Sequence, residues 1–144
     1  MELCKPVNDG LISSPYGSRI LNGVSQFHTG IDIVYKNASF FVPVFAAKSG
    51  KLIVINDIEA LGGGFGICLY IMGDDGYFSI YAHLKNRNCE LKENMTIIAG
   101  SFLGVMGSSG NSTGLHLHYE ERLTLTAGNF RQPKDVINLY NAQT

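Results

Sequence analysis

The sequence predicts an all-β fold, mainly an antiparallel sheet, with one short helix at its C-terminal end. Glycine is the first observation behind this prediction, because 17 of the 144 residues are glycine, as in chains with many turns. The second is that short apolar or alternating segments, rich in aromatic and β-branched residues, lie between the glycine clusters. The third is that only "KDVINLYNA" has apolar residues at helical spacing.

The glycine-rich turns divide the chain into its expected elements. Two strands, "FFVPVFAA" and "KLIVIND", precede a glycine loop, "LGGGFG", and a buried strand, "ICLYIM", follows it. The turn "GDDG" joins this strand to "YFSIYAHL", which is the pattern of a β-hairpin. Later strands are "TIIAG", "FLGVMG" and "LHLHYEERLTL", and Pro133 begins a helix over about residues 133–141.

No linker, internal repeat or long polar tract divides the chain. We therefore expect residues 1–144 to form a single domain, with a first strand near residue 7. A domain of this size buries a substantial hydrophobic core.

Charge and composition exclude several classes of partner. The formal net charge of −1 gives no basic surface for nucleic acid or for an anionic membrane. No apolar run approaches the ~18 residues that a membrane-spanning helix needs, so no membrane insertion is predicted. The N-terminal segment lacks the pattern of a signal peptide, and three cysteines without a CxxC pair favour a reducing compartment. Synthesis in the cytoplasm is therefore expected, and nothing in the sequence indicates an oligomeric state.

Histidines are the strongest candidates for chemistry. His116 and His118 lie in "GLHLHYE", where a strand would place both imidazoles on one face. His28 and Asp32 lie in "HTGID", and Gly30 lets the chain turn so that both side chains can reach one ion. Imidazole and carboxylate donors that converge from separate segments are typical of a catalytic zinc site. The fourth histidine of the chain ends a predicted hairpin strand in "YAHL".

The residues alone leave ordinary explanations open. Paired histidines also occur on exposed strands, and Asp32 by itself would cap a turn. Glu120 could support a metal ligand through its carboxylate or could be a solvated strand residue. The segment "SSGNSTG" is also consistent with an ordinary loop. Other chemistries fit less well, since the chain has no GxSxG motif, no phosphate-binding loop and no HExxH helix. Cys68 lies in an apolar strand, which favours a core position over a reactive thiol.

Several segments, in order, resemble the lysostaphin/LytM-type zinc endopeptidases of bacterial cell walls. The matching segments are "SPYGSR", "FHTGID", "VPVFAAKSGKL", "GDDGYFSIYAHL" and "GVMGSSGNSTGLHLHYE", and the resemblance runs from about Val7 to "PKDVINLY". Two departures are Leu115, where the family usually has proline, and Tyr119, where phenylalanine is commoner. Neither position is a metal ligand of the family.

The resemblance implies one zinc ion (Zn²⁺) per chain and a division of roles among five residues. The metal ligands would be His28, Asp32 and His118. His83 and His116 would be catalytic residues beside the metal, where they position or deprotonate water and stabilise the oxyanion. The histidine pair would then share one face because one imidazole binds the metal and the other acts next to it.

The resemblance also implies a fold and an activity. The antiparallel sheet would form a barrel-sandwich-like substrate groove, crossed by an extended peptide. The activity would be hydrolysis of peptide bonds in the stem peptides or cross-bridges of peptidoglycan. Without a leader, the enzyme would act at the bacterial cell wall after release at lysis or from a virion, as a phage lysin or tail-associated enzyme.

Three alternatives remain at this stage. The first is a non-catalytic binding or activator domain of the same LytM fold. The second is a zinc D,D- or L,D-carboxypeptidase, although that group spaces its first histidine and aspartate more widely than "HTGID" does. The third is a purely structural β-domain.

Overall fold

The computed structural model describes residues 2–37, 39, 41–57, 64–110, 112 and 114–141. Its strands, in chain order, are β1 (Gly10–Ser14), β2 (Gly17–Leu21), β3 (Val24–His28), β4 (Ile31–Tyr35), β5 (Pro43–Phe45), β6 (Gly50–Asn56), β7 (Ile67–Gly73), β8 (Phe78–Arg87), β9 (Thr96–Ile97), β10 (Phe102–Met106), β11 (Leu117–Arg122) and β12 (Phe130–Arg131). A helix, α1 (Lys134–Asn141), follows them. Part of the predicted glycine loop "LGGGFG" lies outside the described residues.

Ten of these strands form one antiparallel sheet. Its main path runs β1-β4-β11-β8-β7-β6-β9, with β10 pairing with β8 and β5 and β12 pairing with β11. β2 and β3 form a separate two-stranded sheet. This architecture confirms the predicted fold class of mainly antiparallel β-structure with a short C-terminal helix. Within the described ranges, no helix combines the length and apolar character that a membrane crossing requires.

The hairpin predicted around "GDDG" joins β7 to β8. Met72 pairs with Phe78 across the turn, and Gly76 has a φ of 86°, which glycine adopts without strain. The Asp75 carboxylate accepts a hydrogen bond from the Tyr77 backbone N–H at 3.1 Å, as aspartate does in turns. The hairpin makes β8 the central strand between β7 and β11.

The C-terminal helix fastens the N-terminal segment to the core. Pro133 accepts the first helical hydrogen bond, from the Ile137 N–H, so α1 begins one residue after the proline. The Tyr140 hydroxyl accepts from the Val7 N–H at 3.0 Å and donates to the Val7 carbonyl at 2.9 Å. This fixes Val7 in the core ahead of β1, which begins at Gly10 rather than near residue 7.

The separate hairpin of β2 and β3 is closed by an Asn-Gly turn, a hairpin signal that lies outside the strands predicted from the sequence. Asn22 and Gly23 have φ values of 53° and 77°, the pair of positive values that a type I′ turn needs. Gly17 pairs with His28 and Arg19 with Gln26, so alternate residues of this hairpin share a face with His28. The hairpin therefore positions a histidine and an arginine together.

One face of β11 contacts a buried ionic network. Lys48, with a side chain 2% exposed, lies 2.9 Å from the Asp75 carboxylate and 3.0 Å from the Glu121 carboxylate. Arg131 donates to both carboxylates at 2.7 Å, and Tyr119 donates to Glu121 at 2.7 Å. All of these charges are paired, which is the condition for burying them.

Candidate metal centre

Three neighbouring strands bring His28, Asp32 and His118 together. His28 is the last residue of β3, Asp32 lies in β4, and His118 lies in β11 directly opposite Asp32. The Asp32 Oδ1 atom lies 3.2 Å from His28 Nε2 and 3.0 Å from His118 Nδ1. The two ring nitrogens are 3.3 Å apart, although the residues are 90 positions apart in the chain. These three residues form a group that could hold a metal ion.

The turn between β3 and β4 requires glycine because it lies against β11. A Cβ atom on Gly30 would meet the Tyr119 carbonyl oxygen at 2.3 Å and the Glu120 Cγ at 2.7 Å. The glycine in "HTGID" is therefore explained by close packing against the neighbouring backbone. It brings the His28 end of β3 and the Asp32 strand up against His118.

Hydrogen bonds fix the orientation of both histidine rings in the group. The Nδ1 atom of His28 lies 2.8 Å from the Pro15 carbonyl oxygen, which can only accept, so this nitrogen carries the proton. The Nε2 atom of His118 lies 2.8 Å from the Glu120 carboxylate and donates to it. In the neutral rings, Nε2 of His28 and Nδ1 of His118 are then left with lone pairs that face Asp32.

The donor set and its spacing fit a tetrahedral metal ion. Two imidazoles and one carboxylate are ligands that zinc commonly takes, with bonds of roughly 2.0–2.2 Å. Bonds of that length place tetrahedral ligand atoms roughly 3.3 Å apart. The three separations of 3.0 to 3.3 Å lie close to this value. Three electron-pair donors at this distance repel one another unless a cation lies between them.

The pKa shifts of Asp32 and His118 also indicate that the group favours a positive charge. Burial by itself would raise the pKa of Asp32, but hydrogen bonds with His118 and His28 hold that pKa well below its usual range. Burial would lower the pKa of His118, but its hydrogen bonds with Asp32 and Glu120 raise that pKa above the usual value. The cluster thus keeps its carboxylate ionised, and that negative charge favours a cation beside it.

His83 and His116 lie beside this group, as expected. The Nε2 atom of His116 is 3.6 Å from Asp32 Oδ1, and its Nδ1 donates to the Gly114 carbonyl at 2.9 Å. The His83 ring centroid lies 4.9 Å from that of His116 and 5.9 Å from that of His118, and its Nδ1 donates to the Ser109 carbonyl at 2.7 Å. Burial is the main reason that the pKa of His83 is lowered, which favours the neutral ring with a lone pair on Nε2.

His83 reaches this position through an irregularity in β8. Tyr81 pairs with Leu69 and Leu84 with Ile67, so the register shifts by one residue between them and a β-bulge forms. His83 itself has a φ of 63°, an unusual value for a residue with a side chain. Without the bulge, alternation would point His83 away from the face that His118 shares with Ala82, its partner in β8.

Two details of the predicted histidine positions need correction. His83 lies inside the ten-residue strand β8, which continues to Arg87, and not at the end of a hairpin strand. His116 lies just before β11 and forms only an isolated bridge with Gly107, because its ring nitrogen bonds back to the preceding turn. Leu115 is accordingly 47% exposed and not part of an inward-facing strand.

Sequence reasoning missed two arginines near the centre. The Arg19 guanidinium donates to the Ser14 hydroxyl and lies 3.7 Å from Asp32 Oδ2. Arg122 lies 3.5 Å from the Glu120 carboxylate, which also accepts a hydrogen bond from His118. Glu120 is therefore a buried partner of His118 and not a solvated strand residue. Alternation along β11 was a usable signal, because His118, Glu120 and Arg122 occupy every second position.

Comparison with known proteins identifies relatives of this chain. The model of Peptidase family M23 matches residues 26–130. The DD-carboxypeptidase/endopeptidase Mpg of Neisseria meningitidis is 33% identical over 114 residues, covering 78% of this chain and 24% of Mpg. The chain therefore spans about a quarter of the length of this curated relative.

Solved structures agree with the sequence comparison. The catalytic domain of EnpA, a prophage-encoded M23 protein from Enterococcus faecalis, has a TM-score of 0.73 and 30% identity, with 88% of this chain and 91% of that chain covered. The catalytic domain of lysostaphin from Staphylococcus simulans has a TM-score of 0.66 and 28% identity, with coverage of 89% and 90%. The resemblance seen in the motifs is thereby confirmed, and the chain belongs to Peptidase family M23.

Proposed function

We propose that this chain is a zinc-dependent endopeptidase that cleaves peptide bonds in the stem peptides or cross-bridges of peptidoglycan. The carrying observation is the hydrogen bonding of its four imidazoles. Each ring has one nitrogen bonded to an oxygen acceptor, namely the carbonyls of Pro15, Ser109 and Gly114 and the carboxylate of Glu120. Each neutral ring therefore keeps its other nitrogen available for a metal ion or a proton.

Two of these nitrogens and one carboxylate are proposed to hold a single zinc ion. His28 Nε2, His118 Nδ1 and Asp32 Oδ1 are the ligand atoms, and three protein ligands leave a position open, as in catalytic zinc sites. When bound, zinc supplies a Lewis acid that polarises the scissile carbonyl and lowers the pKa of water to about 7.

The remaining two histidines are proposed to move protons. His116 has Nδ1 fixed as a donor to Gly114, so its Nε2 accepts a proton from water and returns it to the leaving amine. His83 is fixed in the same way by Ser109 and lies next to His116, where its Nε2 lone pair orients water or, once that nitrogen has taken a proton, donates to the developing oxyanion. The lowered pKa of His83 keeps this ring neutral in the resting site.

Digestion of purified peptidoglycan tests the proposal. One wall of the diaminopimelate type and one of the lysine type are incubated with the protein, and bound metal is quantified in the same sample. We expect about one zinc per chain and new amine and carboxyl ends at one peptide bond, detected by mass spectrometry and abolished by a chelator. One zinc per chain with neither wall cleaved would contradict catalysis and favour the binding or activator domain.

A carboxypeptidase activity is the second candidate. Mpg, which is 33% identical, is named for both carboxypeptidase and endopeptidase activity. Monomeric stem peptides with a free terminal D-alanine and cross-linked dimers separate the two reactions. We expect cleavage of the dimers, and release of D-alanine from monomers alone would replace the endopeptidase proposal.

A phage role is proposed, with the enzyme released at lysis or carried by a virion. The prophage origin stated for EnpA supports a phage lysin or tail-associated enzyme, made in the cytoplasm and active at the wall. Addition of the purified protein to living cells and to isolated walls tests this. Lysis of cells by added protein supports a virion-associated enzyme, digestion of isolated walls alone supports release at lysis, and digestion of neither contradicts both routes.

A further inference from the structure

The metal-facing side of β11 continues beyond His118 to two charged residues, Glu120 and Arg122. Alternation along the strand places all three on one face. The side chains of Glu120 and Arg122 are only 1% and 3% exposed. Charged side chains are almost never buried to this extent unless they are paired, and the proposed proton transfers use neither of them.

Glu120 connects the metal centre to the interior. Its Oε1 atom accepts hydrogen bonds from His118 Nε2 and from the Thr29 hydroxyl. Its Oε2 atom has no hydrogen-bond partner among the described residues. That oxygen lies 3.5 Å from Arg122 Nε, which likewise has no hydrogen-bond partner in the described part of the chain. The two unbonded atoms thus face each other as an ion pair.

Aromatic rings hold the Arg122 guanidinium in this position. Its central carbon lies 5.2 Å from the centroid of Tyr70, 5.6 Å from that of Phe130 and 5.8 Å from that of Phe65. The Arg122 Nη2 atom also donates to the Tyr70 hydroxyl at 3.0 Å. Ring faces attract a guanidinium and exclude water from it. The Phe65 ring lies against His118 as well, with centroids 5.4 Å apart.

We infer that Arg122 is a positioning residue for the metal ligand His118 and that it acts through Glu120. The caged guanidinium holds the Glu120 carboxylate behind His118. The carboxylate in turn holds the imidazole with Nε2–H toward Glu120 and Nδ1 toward the metal. Such outer partners orient a metal-binding imidazole and raise its basicity. The inference rests on the metal site proposed above.

The ionic network on the opposite face of β11 provides matched controls. Glu121 adjoins Glu120 in sequence, pairs with Arg131 at 2.7 Å and is 2% exposed. This network bonds to Lys48, Asp75 and Tyr119 and to no residue of the proposed metal group. Substitutions there remove an ion pair whose carboxylate is similarly buried, although its arginine is 32% exposed, without reaching His118.

A double-mutant cycle on zinc affinity tests the inference. Zinc dissociation constants are measured by competition with a chromophoric chelator for the wild type, Glu120→Gln, Arg122→Met and the double variant. Loss of an outer partner typically weakens metal binding about 10–100-fold. We expect E120Q to lie in that range and R122M to lose about ten-fold. The double variant should bind zinc no more weakly than E120Q, because Arg122 acts through the same carboxylate.

The controls are Glu121→Gln and Arg131→Met, which should bind zinc like the wild type. Equal zinc affinity in R122M and the wild type would overturn the inference. So would a loss of zinc affinity in R131M as large as that in R122M. A loss in the double variant equal to the product of the two single losses would overturn it as well. Absence of zinc binding by the wild type would instead overturn the proposed metal site itself.

A conservative variant keeps the test decisive if the buried carboxylate prevents R122M from folding. Arg122→Lys retains the charge. We therefore expect it to bind zinc more weakly than the wild type but more tightly than R122M, or than E120Q if R122M does not fold. The visible absorption bands of its cobalt(II) form should also shift relative to the wild type, because they report ligand geometry. Unchanged affinity and unchanged bands in a folded R122K protein would overturn the inference.

Discussion

His83 combines a proposed catalytic role with a backbone conformation that side chains disfavour. Its φ of 63° lies in the left-handed region, which costs an L-residue roughly 1–2 kcal/mol. The His83 N–H donates to the Phe65 carbonyl at 2.7 Å, and its ring bonds to Ser109 at the same distance, so the surroundings hold the residue in this conformation. Strain of this kind is found at functional sites, where it aims a side chain.

Two substitutions measure this strain. Both His83→Ala and His83→Gly remove the imidazole and its hydrogen bond, but glycine adopts the positive φ without cost. We therefore expect His83→Gly to be more stable than His83→Ala by about 1 kcal/mol in urea unfolding, after the greater chain entropy of glycine is subtracted. At an ordinary strand position glycine is the less stable of the two, so a more stable alanine variant would show that the conformation is not strained.

The proposed roles of four of the five site residues separate in a second set of substitutions. We expect His118→Ala and Asp32→Ala to lose zinc binding and activity together, because each removes a proposed ligand atom. His116→Ala and His83→Ala should keep zinc but lower turnover about 10²–10⁴-fold, as expected when an acid–base group is lost. Metal analysis and peptidoglycan digestion on the same samples give both values. An equal fall in zinc content in all four variants would contradict the division.

Among the secondary-structure elements, the turn between β3 and β4 governs how the ligands meet. Gly30 lies so close to β11 that a Cβ would approach the Tyr119 carbonyl oxygen to 2.3 Å, and backbone cannot move aside cheaply. We expect Gly30→Ala to destabilise the fold by about 1–3 kcal/mol, the usual range for overpacking, and to weaken zinc binding by separating β4 from β11.

Gly114 provides the control for that substitution. A Cβ at this position meets none of the described residues within 4 Å, so Gly114→Ala should leave the free energy of unfolding nearly unchanged. Urea unfolding and zinc titration of both variants give the comparison. Wild-type stability and zinc affinity in the Gly30→Ala protein would show that β3 and β4 need not pack this closely.

The elements differ in how far the sequence could predict them. Period-two alternation and the "GDDG" turn were sufficient to predict β7 and β8, because the turn residues and the apolar pattern both indicate a hairpin there. The bulge at His83 left no local signal, since it arises where β8 leaves β11 and pairs with β10. Asn22-Gly23 was a hairpin signal that went unused. Arg122 lies within a predicted strand, but its aromatic cage combines Phe65 and Tyr70, more than fifty residues earlier in the chain, with Phe130 of β12.

At the scale of the whole molecule, the metal group lies on a sheet whose core does not depend on it. Ile31 and Ile33 flank Asp32, and Leu117 and Tyr119 flank His118, and all four are completely buried on the other face. The same two strands thus supply ligands to one side and core residues to the other, as strand alternation dictates. Because the proposed ligands and the core residues lie on opposite faces, a metal ion can bind or leave without any repacking of the interior.

Metal removal should therefore inactivate the protein without unfolding it. A zinc ion that binds only the folded state adds RT ln(1 + [Zn]/Kd), which is about 2.7 kcal/mol at a hundred-fold excess over Kd. For a domain of this size we expect chelation to lower the melting temperature by roughly 5–10 °C, while the β-signal at 25 °C stays unchanged. Circular dichroism and digestion assays before and after zinc is restored measure both effects. Loss of the β-signal on chelation would mean that the metal, rather than the apolar core beneath β4 and β11, holds these strands together.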